Sequence, residues 1–324
     1  MKRWLLMAVV LGLTACSKPE SANPPAATGA KATASVPAEP TIAWVHSQST
    51  ADVEGAFAKA KAENLPVFLF WTAAWCPPCN QVKSTIFTRS DFIDKSRAFV
   101  PIYVDGDTPS GQALGKRFSV GGYPTMVLLR PDGTELTRLA GSVEPAKYMQ
   151  VLDRGLGGGP SAKQVLATAM AGKPLTADDW RLLAYYSWDT DEQQLVPDKD
   201  APATLLKLAA ACPPDQRESA SRLVLQALAT TARAKENERP KIDKADAIAS
   251  LRSLLARPEL VRENYDLFAF SGDDIVGLLT APKSRERTEL IAAWSAALDQ
   301  LSTDRTLNNA GRVWVMMGKV NLAG

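Results

Sequence analysis

Two cysteines three positions apart dominate the chemistry this chain can offer. They stand in the run Trp75-Cys76-Pro77-Pro78-Cys79. A Cys-X-X-Cys spacing serves a redox-active dithiol, a structural disulfide or half of a metal site. Structural zinc usually takes four ligands, and one such pair supplies two. The chain has a single histidine, His46, and its other cysteines, Cys16 and Cys212, are far away in sequence. Chemistry that needs several imidazoles is therefore largely excluded, and no metal site is expected. His46 stands at a strand end and reads as a surface or packing residue. A structural bridge has no need of a Trp-Cys-Pro-Pro-Cys run where an apolar strand meets a helix.

The elements around the pair are legible from periodicity. Pro66 opens Val67-Phe68-Leu69-Phe70-Trp71, a continuous apolar run typical of a strand buried on both faces. A helical stretch follows Cys79. Strands are expected at Ile42–Val45, Val100–Val104, Thr125–Leu129 and Glu135–Leu139, the last two joined by the turn Pro131-Asp132-Gly133. Helices are expected at Ala51–Asn64, Pro109–Phe118 and Glu144–Leu152. Strands alternating with helices and closing in a hairpin predict an α/β sandwich with a mixed sheet.

Trp75-Cys76-Pro77-Pro78-Cys79 after a buried strand, with Gly122-Tyr123-Pro124-Thr125 downstream, resembles the thioredoxin superfamily. The resemblance covers residues 41–153. Within the superfamily it is similar to exported thioredoxin-like domains such as the C-terminal domain of the DsbD thiol:disulfide interchange protein; Cys-Pro-Pro-Cys also occurs in tryparedoxins and nucleoredoxins. It implies a thiol–disulfide oxidoreductase with no cofactor beyond a Cys76–Cys79 disulfide. Cys76 is then the nucleophile, at a helix start where the dipole and free N–H groups favour a thiolate and the side chain reaches solvent. Cys79, one turn inside, is the resolving thiol. Pro77 and Pro78 fit the first helical turn and remove two N–H donors, so Cys76 is expected to be less acidic than in the strongest oxidants. A stiff loop that favours the disulfide adds to this, and both effects point to a reducing couple. Tyr123-Pro124 matches the family's cis-proline position, which with Trp75 forms the implied substrate-binding surface. Many thioredoxins pair a buried aspartate six residues before the first cysteine with a lysine on the next strand. Here those positions hold Phe70 and, by approximate alignment, Pro101, as if apolar packing had replaced an ion pair.

The N-terminus predicts export. Lys2 and Arg3 precede the uncharged run Trp4–Leu13, too short to span a bilayer as a helix but suited to a signal-peptide core. Leu13-Thr14-Ala15-Cys16 resembles the lipobox of bacterial lipoproteins, whose cysteine carries the lipid. Residues 1–15 are thus expected as signal peptide, and 16–40 as lipidated Cys16 plus a Pro- and Ala-rich tether. Ser17 after Cys16 resembles outer-membrane sorting. The expected place is the periplasm-facing side of a membrane, outer favoured over inner. The expected partners are protein thiols and disulfides and a thiol electron donor such as a membrane reductase. Lys plus Arg number 37 against 35 Asp plus Glu in 324 residues, and Lys2 and Arg3 leave with the leader, so no nucleic-acid surface is expected.

Residues 154–160, rich in glycine, read as a flexible linker. Residues 161–324 read as an all-α domain, a bundle or short solenoid of helical hairpins. Helices are expected at Ala201–Cys212, Ser219–Lys235 and Ala245–Ala256. Thr176-Ala177-Asp178-Asp179 forms a capping box, and Leu290, Ile291, Trp294, Leu298 and Leu301 share a helix face. Cys212, at a helix end, reads as a small apolar residue. The alternative to an enzyme is a non-catalytic scaffold or holdase-like protein that works through these helices.

Overall fold

The computed structural model describes residues 41–139, 141, 143–192 and 195–323. Cys16 and the rest of the expected leader and tether lie outside the described residues. The first part holds β1 (Val45–Ser47), α1 (Thr50–Glu63), β2 (Val67–Thr72), α2 (Pro77–Thr85), α3 (Ser90–Lys95), β3 (Val100–Asp105), α4 (Pro109–Arg117), β4 (Thr125–Leu129), β5 (Glu135–Leu139) and α5 (Pro145–Leu156). The strands form one sheet in the order β1-β3-β2-β4-β5. β1 and β2 run parallel to β3, and β4 is antiparallel to β2 and β5.

β2 is central because every one of its side chains is buried, and only a strand flanked by strands and covered on both faces can satisfy that. Val67, Leu69 and Trp71 point to a core shared with Val53 and Ala60 of α1 and Leu114 of α4. Phe68 and Phe70 point the other way, to a core shared with α2, α3 and α5. The expected strand at Ile42–Val45 lies later in the chain, because β1 pairs through Val45–Ser47 with Ile102–Val104. Trp44 instead packs its ring against Phe68, Phe70, Phe87 and Tyr103.

The rest is helical, as expected: α6 (Ala162–Met170), α7 (Ala177–Ala184), α8 (Ala201–Ala211), α9 (Arg217–Arg233), α10 (Lys244–Leu255), α11 (Pro258–Glu263), α12 (Tyr265–Leu279), α13 (Arg285–Thr303) and α14 (Asn309–Ala323). Both halves of the expected capping box close on α7. Of the expected face on α13, Leu290, Trp294, Leu298 and Leu301 are buried.

The expected flexible linker at 154–160 is corrected by the structure. The described residues pack as one compact unit. The first core continues from the sheet through Val165, Trp180, Leu183 and Tyr186 to Leu205 and Leu223. α5 runs through Arg154 to Leu156, and Gly155 sits where an added Cβ would come 2.5 Å from Leu128 Cδ2. That glycine serves close helix–sheet approach. Gly158, at φ +73°, turns the chain after the helix.

The seam between the two parts is polar and buried. Arg138 on the edge strand β5 is fully buried. Its Nε donates to Glu135 Oε1 (2.8 Å), and its Nη1 donates to the carbonyls of Ser119 (2.8 Å) and Thr190 (3.1 Å). Its Nη2 donates to the Phe118 carbonyl and to Glu135 Oε2. The segment from Tyr186 to Glu192 lies along this edge: Ser187 N–H donates to the Arg138 carbonyl (3.2 Å) and Gly121 N–H to the Thr190 carbonyl (3.3 Å). Burial pushes the Glu135 carboxyl up, against the pull of Arg138. Removing one partner from a buried, hydrogen-bonded charge pair leaves the other uncompensated, at about 3–5 kcal/mol. Arg138→Met should therefore lower the urea unfolding free energy by about that amount, whereas a half-exposed pair such as Arg117–Glu54 contributes about 0–1 kcal/mol. Equal, small losses for Arg138→Met and Arg117→Met would contradict this assignment.

Candidate active site

β2 ends at Thr72, and four residues later Cys76 caps the start of α2. Pro77 and Pro78 occupy the first two helical positions. They lack N–H groups, and nothing is lost there because the first helical N–H groups have no intrahelical partner. The first available donor is the Cys79 N–H, and it points at Cys76 Sγ at 3.2 Å. Cys76 and Cys79 are joined as a disulfide. Cys76 is 2% exposed and Cys79 is fully buried. The expected solvent reach of Cys76 is thus corrected for the disulfide state: its sulfur is turned onto the helix start, where it receives the Cys79 N–H.

The other expected site residues lie beside the pair. The Tyr123–Pro124 peptide bond is cis. Gly141 faces this loop so closely that a Cβ would come 2.5 Å from Pro124 Cγ. Trp75 is 66% exposed, the natural position for a contact with another molecule. Its ring meets Tyr123 edge-on at 5.9 Å, and its Nε1 donates to Asp107 Oδ2 at 2.7 Å. Asp107 follows β3, where its own N–H donates to Asp105 Oδ1 (3.0 Å). Asp107 was not singled out in the sequence, although Asp105-Gly106-Asp107 carries a turn signal.

The strand register places Tyr103 opposite Phe70, and Pro101 opposite Phe68. The aligned neighbour of Phe70 is thereby corrected from Pro101 to Tyr103, two positions further along the parallel ladder. Phe70 packs against Phe87 (4.8 Å) and Tyr103 (5.5 Å). Aromatic rings fill the space beneath the cysteines. His46 is exposed and lies against the Tyr103 ring. Among the described residues no cluster of three or more His, Cys, Asp or Glu could hold a metal ion.

A model of the thioredoxin-like domain family matches residues 53–156. With the buried strand, the Cys-Pro-Pro-Cys helix start and the cis-proline loop in place, this decides the family. Residues 53–156 form a thioredoxin-superfamily domain. The thiol:disulfide interchange protein DsbD of Pseudomonas fluorescens is 30% identical over 107 residues, 32% of this chain and 18% of that protein. Thioredoxin H4 of Arabidopsis thaliana is 30% identical over 86 residues, 26% of this chain and 66% of that protein. A solved thioredoxin from Thermus thermophilus is 30% identical, with 34% of this chain and 84% of that one covered at a TM-score of 0.31. The chain thus spans about a fifth of the length of the DsbD proteins it matches.

The thioredoxin-like domain does not stand alone at its redox end. A cavity of about 660 Å³ opens beside Pro77, Pro78, Tyr123 and Pro124, and its far wall comes from α9, α12 and α14. These helical residues were not legible as site residues, because nothing in their local pattern shows which sheet end they face.

Cys212 follows α8, is half-buried and makes no disulfide among the described residues. Burial pushes its thiol up to about 11. Since the thiolate is the reactive form, raising the pKa by about two units cuts its population near neutrality by about a hundredfold. Iodoacetamide at pH 8 should therefore alkylate Cys212 about a hundred times more slowly than an ordinary exposed thiol. Modification at the ordinary rate, read by peptide mass spectrometry, would contradict this.

Proposed function

We propose that this protein is a thiol–disulfide oxidoreductase that reduces disulfides in exported proteins. It is anchored to a membrane through lipid on Cys16 and faces the periplasm, with Ser17 favouring the outer membrane. The carrying observation is Cys76 at the α2 N-terminus with its sulfur taking the Cys79 N–H. In the reduced form the same position stabilises a thiolate on Cys76 through the dipole and that one donor.

The exchange balances as follows. The Cys76 thiolate attacks one sulfur of a substrate disulfide. A Cys76–substrate bond forms, the substrate disulfide breaks, and its other sulfur leaves as a thiolate that takes a proton. Cys79 then loses its proton and attacks the Cys76 sulfur. The Cys76–Cys79 bond forms, the mixed disulfide breaks, and the second substrate sulfur leaves with a proton. Two electrons pass to the substrate, and a thiol donor such as a membrane reductase restores the dithiol. No further cofactor is called for. With no acid between Pro66 and Asn80 and Phe70 in apolar surroundings, water or the substrate takes the Cys79 proton. Tyr123 and Pro124 present the loop edge along which a substrate strand lies.

A non-catalytic, holdase-like reading draws on one observation: Val313, Met316, Met317 and Val320 leave an apolar stripe of α14 exposed. Trapping separates the two readings. Cys79→Ala, expressed in cells and run on non-reducing gels, should accumulate mixed disulfides, because attack proceeds and resolution does not. Cys76→Ala should trap at least about fivefold fewer. Equal trapping, or trapping mainly through Cys79, would overturn the roles. No trapping by either variant would favour the holdase.

A further inference from the structure

α14 packs one face inward and leaves the other bare. Trp314, Val315 and Leu322 are buried, and Gly318 lies so close to α12 that an added Cβ would come 2.6 Å from the Ala269 carbonyl oxygen. On the opposite face Val313, Met316, Met317 and Val320 are between 52% and 73% exposed. Their spacing sets them in one line along the helix. Phe270 of α12, itself 39% exposed and packed on the Trp314 ring at 5.0 Å, widens the line into a patch. Contiguous exposed apolar surface of this kind marks a binding face, and methionine suits such faces because it is flexible and polarizable.

The order of these residues selects the occupant. Taken along the line, Val313, Met316, Met317 and Val320 read the same from either end. A two-fold interface needs a patch that complements itself. This patch does so when two copies of α14 lie antiparallel with the axis between Met316 and Met317. Val313 then faces the second copy's Val320, and Met316 faces the second copy's Met317. In that register Lys319 and the second copy's Arg312 lie about 3 Å apart along the helix direction. Lys319 is paired with Asp299, so an acid stands beside those cations. A lipid surface fits this face less well. Helices that lie in a membrane interface turn Trp, Phe and Leu toward the lipid and are rich in Lys and Arg. α14 turns Trp314 and Leu322 inward, and its cations are Arg312 and Lys319 alone.

We propose that the bare face of α14 is a homodimer interface, in which two copies of the helix pair antiparallel about an axis between Met316 and Met317. The patch is smaller than the roughly 20–30 residues a side of a standard interface, so the pairing is weak and reversible in solution. Copies held on one membrane meet at a higher effective concentration. Val313, Met317 and Phe270 also wall the cavity at the redox end. The second copy's Val320 and Met316 therefore stand at its rim, and each copy completes the other's wall. The pairing does not depend on the redox reading.

The test is made in cells, on the full chain, with two differently tagged copies expressed together and treated with a short bismaleimide. Copies with no added cysteine give the background. Val313→Cys in one copy should bridge to Val320→Cys in the other at least about fivefold more than to a second Val313→Cys, because the latter positions lie about 10 Å apart along the axis. Met316→Asp in both copies should cut that bridging at least about fivefold by setting like charges at the axis, and Met316→Lys in both should do the same. Asp in one copy and Lys in the other should restore it to within about twofold. Neither a membrane nor an unfolded polypeptide reproduces that rescue, and a damaged fold does not give it. Bridging at the background level overturns the proposal. So does equal bridging of the two cysteine pairs, or no rescue by the Asp and Lys pair. Bridging mainly to other proteins overturns it as well and gives the face to a foreign polypeptide.

Discussion

The buried guanidinium of Arg138 is the interaction on which the arrangement depends. An edge strand normally exposes unpaired backbone groups. Here β5 is closed by the Tyr186–Glu192 segment, and Arg138 gathers carbonyls from both sides of that seam. Five N–H donors in a rigid plane suit this task, which a lysine cannot reproduce. Further pairs tie the same parts together. Lys147 of α5 meets Glu218 and Glu263, and Arg262 meets Glu144 with two bonds of 3.1 Å. Charged pairs at a seam add little stability beyond apolar packing, but they fix register, because a shifted contact leaves charges buried and unmatched.

That register places α9, α12 and α14 at the redox end of the sheet. β2, buried on both faces, delivers its C-terminal end to the start of α2, and the two prolines leave the Cys79 N–H as the nearest donor for Cys76. The cis-proline loop lies beside it, held close by Gly141. The helices complete a cavity on the far side. A thioredoxin-like domain alone would offer an open groove, whereas here the approach is walled by residues more than 60 positions along the chain from Pro124.

The redox end was legible in the sequence because its signals are local. The apolar run of β2, the Cys-Pro-Pro-Cys helix start and Tyr123-Pro124 each announce themselves within a few residues, and β4 and β5 match their expected bounds. What failed depended on distant partners. Gly155 read as linker because close approach to Leu128 is invisible in sequence, and Arg138 read as an ordinary strand residue because its acceptors lie up to 52 positions away. Arg222 fits an amphipathic helix, and only tertiary packing shows that its guanidinium is buried against Asp266, 44 positions away.

The central claim is that Cys76 and Cys79 form a reversible redox couple within the folded chain, and equilibration against dithiothreitol redox buffers tests it most directly. Free thiols are tagged with a mass-shifting maleimide and located by mass spectrometry, while circular dichroism follows the fold. The account predicts that both cysteines become reactive together in one reversible two-electron transition with the helical signal unchanged, and that Cys212 is tagged far more slowly than an ordinary exposed thiol. A pair that stays oxidised until the chain unfolds would contradict it and make the bridge structural.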